Sequence, residues 1–117
     1  MHDFRRLRVW KDSRALAVEL SIATRAFPRE DRGVLATQLR KSALSVPANI
    51  CEGCGKSYRQ DSIRFLEIAC ASAFETETHV LIAKELRYIP PKVADRYVEQ
   101  MEAIQRGIRN LIKSFPE

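Results

Sequence analysis

Three short stretches of this chain hold residue types from which reaction chemistry is commonly built. Gly55-Lys56-Ser57 ends like a phosphate-binding loop, but the full pattern needs a glycine where Ile50 stands. It also needs a preceding strand, and this segment follows an expected helix. Cys51-Glu52-Gly53-Cys54 has the spacing of a redox pair. Such pairs work at a helix N-terminus, in an α/β fold. Here they fall at an expected helix C-terminus, where the dipole disfavours a thiolate. Two cysteines are also too few for a four-ligand zinc site, and Cys70 reads as core filler. Glu75 and His79 lie four apart, so they share a helix face. No nucleophile stands out beside His79, and His2 is the only other histidine. No enzyme activity, metal or cofactor is expected.

The charged residues say more. Formal net charge is +5, and it is uneven: residues 1–60 carry +6 and residues 61–117 carry −1. Arg5, Arg6, Arg8, Lys11 and Arg14 gather near the start, while Lys56 and Arg59 flank a loop after the second expected helix. If helices one and two run antiparallel, these groups share one end and form a positive surface of seven charges. Ring assembly would repeat that surface around an axis. Such a surface suits a polyanion such as RNA or DNA. It lacks interleaved aromatic platforms and any standard recognition motif, so it predicts backbone contact without base reading. A scaffold or adaptor that grips a protein partner is the alternative, with charge serving solubility.

Glu77 falls on the apolar side of the third expected helix, where an unpaired carboxylate is costly. Arg40, one step from core Leu39, is the expected partner, in an interhelical or intersubunit pair that fixes register. Two solvated charges at core edges are the other reading.

Positioning these groups requires helices. The 117 residues suffice for one domain with one core. No apolar run approaches the roughly 18 residues of a membrane span. A cytoplasmic location is the default expectation, with reduced thiols, since three cysteines are an odd number.

The first helix is expected from about Val9 or Lys11 to Ala26, with Leu16, Leu20, Ala23 and Phe27 as its core stripe. Asp12 or Ser13 falls in its first turn or caps it. Phe4, Leu7 and Trp10 form an apolar lead-in, and Pro28 closes the segment. The second helix runs from near Asp31 to Gly33 as far as about Glu52. Its stripe of Leu35, Leu39, Ala43, Val46 and Ile50 keeps helical phase across Pro47. The proline should bend the helix rather than stop it, at a cost of roughly 3 kcal/mol. Gly53 and Gly55 then free the backbone for the exit.

The third helix is expected over about Gln60 to Arg87. One face reads Leu66, Ala69, Ala73, Val80 and Ala83. A second reads Phe65, Ile68, Ile82 and Leu86, with Ser72, Glu75 and His79 between. That second stripe implies either contact with another subunit or a wide core face. The fourth helix opens near Pro91 and repeats Ala94, Tyr97, Met101, Ile104, Ile108, Leu111 and Phe115 by threes and fours. Gly107 beside this stripe suits a close helix crossing. The fold expected is an all-α, up-down-up-down antiparallel four-helix bundle.

Several stretches resemble one known family. They are Phe4-x-x-Leu-x-Val-Trp10, Phe27-Pro28, Gln38 through Gly53, Arg64-Phe65-Leu66-Glu67-Ile68-Ala69, and Glu75-Thr76-Glu77-Thr78. Together they resemble the proteins encoded in intervening sequences of bacterial large-subunit ribosomal RNA genes. The resemblance implies an antiparallel four-helix bundle that assembles as a homopentamer, with no catalytic residues. It also implies kinship in fold with the accessory variability protein of diversity-generating retroelements. That relative binds nucleic acid and partners a reverse transcriptase through a basic surface.

Overall fold

The computed structural model describes residues 3–116, so His2 lies outside the described residues. Four long helices make the molecule: α1 (Arg8–Ala23), α2 (Thr37–Gly55), α3 (Arg59–Glu85) and α4 (Pro91–Ser114). No strand occurs among the described residues. α3 packs on α2 and α4, and α1 closes the bundle against the same two helices. Short connections force neighbours antiparallel. At about 1.5 Å per residue, the 27 residues of α3 run most of the 46 Å length of the bundle.

The stripe read across Pro47 holds. Leu35, Leu39, Ala43, Val46 and Ile50 are all buried, and Pro47 sits buried within an unbroken α2. A second backbone irregularity lies upstream. A single turn at Arg29–Asp31 leads into a π-helical stretch, Arg32–Ala36, before regular α2 begins. The Thr37 hydroxyl donates to the Arg32 carbonyl across that wide turn (2.9 Å). Arg32 itself reaches back, donating from Nε to the Phe27 carbonyl and from Nη2 to the Arg25 carbonyl. It thereby satisfies carbonyls just past the end of α1.

A hydroxyl seam sets the register of α2 against α3. Thr76 donates to Ser42 (3.0 Å), Ser45 and Ser72 share a hydrogen bond (2.9 Å), and Asn49 Nδ2 donates to Ser45. Gly53 completes the seam. It is buried and helical, and a Cβ there would lie 3.0 Å from the Ser62 carbonyl and 3.1 Å from Leu66 Cγ. Its role is close approach between α2 and α3. The expected backbone freedom is not used, because no glycine here has positive φ. Gly107 serves the same purpose between α1 and α4, since a Cβ on it would lie 2.9 Å from Val9 Cγ2.

α3 ends in a Schellman motif. The Tyr88 amide donates to the Ala83 carbonyl (2.9 Å) and the Arg87 amide to Lys84 (3.0 Å). Arg87 takes the left-handed position, φ 64°, where glycine is usual. At the other end of the molecule, Phe4–Arg6 forms a 3-10 turn capped by Asp3, and Phe4 meets Trp10 edge-on at 5.0 Å. Asp12 and Ser13 do not cap α1. The turn starts the helix a residue or more early, at Arg8, behind Leu7. Asp12 instead pairs with Arg8 (3.8 Å), and Ser13 donates to the Trp10 carbonyl.

Candidate nucleic-acid interface

The expected basic residues belong to three neighbouring pieces of chain. The Phe4–Arg6 turn packs on α2. Val9 in the first turn of α1 meets Gly107 near the end of α4. Antiparallel order therefore brings together the start of α1, the end of α2, the start of α3 and the end of α4. Arg5, Arg6, Arg8, Lys11, Arg14 and Arg59 are exposed, and Lys56 is half-buried.

Each cation has a local setting. Arg5 lies 4.9 Å over the Phe4 ring and Arg14 5.0 Å over Trp10. Lys56 lies 4.7 Å over Phe65 and pairs loosely with exposed Glu52 (3.9 Å). Arg6 approaches Asp3 at 4.0 Å, and Arg8 approaches Asp12. These exposed pairs are worth under about 1 kcal/mol each, so they leave the cations available to another anion. Lys11 and Arg59 make no ion pair or side-chain hydrogen bond among the described residues.

Two further groups were not weighed in the sequence reading. Arg106, Arg109 and Lys113 are exposed near the end of α4, with no acidic residue between Glu102 and Glu117. The antiparallel order was sufficient to find them. Tyr58, in the α2–α3 connection, is 74% exposed.

Within the chain the expected Arg40–Glu77 pair is not formed. Arg40 Nη1 donates to the buried Thr24 hydroxyl (3.0 Å), and Glu77 Oε1 accepts from Gln105 Nε2 (2.7 Å). The hydroxyl seam puts Arg40 level with Glu77, but Thr76 takes the position facing α2. One residue further on, Glu77 is turned by about 100° and faces α4, while Arg40 faces α1. Both remain half-buried and hydrogen-bonded.

The other chemical candidates stay apart. Cys51 is half-buried and Cys54 buried at the end of α2. Burial first, and neighbouring Cys51 second, push the Cys54 thiol above its ordinary value of 9.0, away from reactivity. Cys70 is buried in the core. His79 Nε2 meets Glu75 Oε2 at 3.2 Å. No three His, Cys, Asp or Glu side chains among the described residues gather to hold a metal. No helix among the described residues is long and apolar enough to cross a membrane.

The second stripe of α3 faces outward. Ile68, Ile82 and Leu86 are exposed and Phe65 is half-buried, so the wide-core alternative does not form.

The architecture defines a small antiparallel four-helix bundle. The chain belongs to the 23S rRNA-intervening sequence protein family, whose model matches residues 5–110. Among solved structures it is similar to a protein of unknown function from the S23 ribosomal protein family of Bacteroides thetaiotaomicron. The TM-score is 0.83 at 25% identity, covering 91% of this chain and 99% of that one. No curated protein matches significantly.

Proposed function

We propose that the protein is a non-enzymatic oligomeric bundle that binds the backbone of RNA or DNA through its basic end. The observation that carries this reading is the exposure of Arg5, Arg6, Arg8, Lys11, Arg14 and Arg59 on adjoining helix ends. Lys56 adds a seventh cation beside them. Opposing acids at this end are few, with Asp3, Asp12 and Glu52 exposed and Asp61 half-buried, and the family name adds an RNA context. Phosphate contact releases counterions, so affinity falls steeply as salt rises. The test is retention of a labelled structured RNA at about 50 mM salt. Joint reversal of Arg5, Arg6 and Arg8 to Glu abolishes retention while circular dichroism keeps its helical signal. Retention by the reversed variant equal to that of the parent protein refutes the proposal.

A second observation favours contact with protein. Ile68, Phe74, Leu81 and Ile82 of α3, with Leu86 at its C-cap, account for half of the exposed large apolar side chains among the described residues. We propose that copies of the chain meet along α3, as a homopentamer. Light scattering after size exclusion tests this: Ile68→Glu with Ile82→Glu yields a monomer. A monomeric parent protein at micromolar concentration sinks it. A scaffold or adaptor for a different protein partner is then the reading that α3 supports.

A further inference from the structure

A single exposed aromatic residue is ordinary on a protein surface. The setting of Tyr58 is not. Among the described residues every other aromatic ring is occupied. Arg5 covers Phe4, Arg14 covers Trp10, Lys56 and Arg64 cover Phe65, Arg109 covers Phe74 and Arg96 covers Tyr97. Phe27 and Tyr88 pack on each other at 5.3 Å, and Phe115 packs against the core. Tyr58 takes part in no ring or cation contact, so its ring faces are open.

The backbone that carries it is anchored on both sides. Its carbonyl accepts from the Ser62 amide (3.1 Å), and the Lys56 amide reaches the Gly53 carbonyl (3.4 Å). Gly53 is in turn packed against Ser62 and Leu66. Tyr58 is extended, φ −108° and ψ 138°, immediately before α3. Arg59 follows it directly and Lys56 precedes it by two residues. The nearby acids are Glu52, which engages Lys56, and half-buried Asp61 in the first turn of α3.

An open ring with cations one and two residues away along the chain has the chemistry of a base platform. Every base has a π-face, and stacking on tyrosine ignores sequence, while flanking cations hold phosphate. Paired bases hide their faces in the helical stack. We propose that Tyr58 stacks on an unpaired base of a single-stranded nucleic acid, with Arg59 and Lys56 on the adjacent phosphates. This deepens the backbone-binding reading and rests on it: the preferred ligand is single-stranded, and one base is gripped by its face.

The test compares a fluorescent single-stranded RNA with a duplex RNA of equal length, at one salt concentration, using the full chain. Tyr58→Ala weakens single-strand binding about tenfold or more, leaves duplex binding unchanged, and Tyr58→Phe retains the parent affinity. Circular dichroism checks that the exposed substitution leaves the fold intact. Single-strand affinity unchanged in Tyr58→Ala overturns the stacking role and leaves the backbone reading standing. Equal losses on both probes also overturn it, because they report charge or shape rather than stacking. A parent protein that binds neither probe overturns both readings.

Discussion

Replacing Gly107 by alanine tests the packing that seats the basic start of α1 on the end of α4. In an isolated helix this change is favourable by about 1 kcal/mol. Here the new Cβ would lie 2.9 Å from Val9 Cγ2 and 3.1 Å from Val9 Cβ. Rotating the valine moves the methyl but not its Cβ, and a β-branched side chain has few rotamers in a helix. The two helices must therefore separate, at an overpacking cost of about 2–3 kcal/mol. The net expectation is a loss of about 1–2 kcal/mol, or about 4–8 °C in Tm for a chain of this length. Val9→Ala removes the closer contact. The Cβ contact at 3.1 Å remains in that background, so the glycine change becomes less costly, and a double-mutant cycle returns a coupling of about 1 kcal/mol. Urea unfolding at fixed protein concentration measures all four species. A Gly107→Ala protein at least as stable as the parent, or a cycle with no coupling, refutes the close-crossing argument.

Arg87→Gly relieves a left-handed residue at the end of α3 and raises stability by about 1 kcal/mol; a lower urea midpoint contradicts this. Glu77→Ala strands the buried Gln105 amide and costs about 1–3 kcal/mol. A double-mutant cycle between Arg40 and Glu77 returns a coupling near zero; a substantial coupling would restore their direct pairing. Burial raises the folded pKa of Cys54 above its ordinary value, so the native state holds its proton longer than the unfolded chain. The associated stability is present below about pH 9.0 and declines as pH rises beyond it. Cys54→Ala flattens that decline in pH-dependent unfolding, and an unchanged slope argues against the burial effect.

The four helices and their core stripes were readable because apolar spacing is local. Leu39, Val46 and Ile50 keep one phase whatever packs on them, and Pro47 could not break a pattern supported on both sides. The proposed basic end rests on antiparallel order. Tyr58 was not found as a platform, because exposure is invisible in the identity of a residue: Tyr58, Tyr88 and Tyr97 read alike until neighbours cover two of them. Gly53 was read as freeing the backbone for the helix exit, because sequence cannot separate a glycine needed for conformation from one needed for proximity.

By itself the sequence determined the helix count and the buried faces, since these depend on a backbone period of 3.6 residues. Only the tertiary structure decided which side chains meet. Arg40 found Thr24, and Glu77 found Gln105, because axial register and rotation about each helix are set jointly by all the packed neighbours. A shift of one residue turns a side chain by about 100° and gives it a different partner.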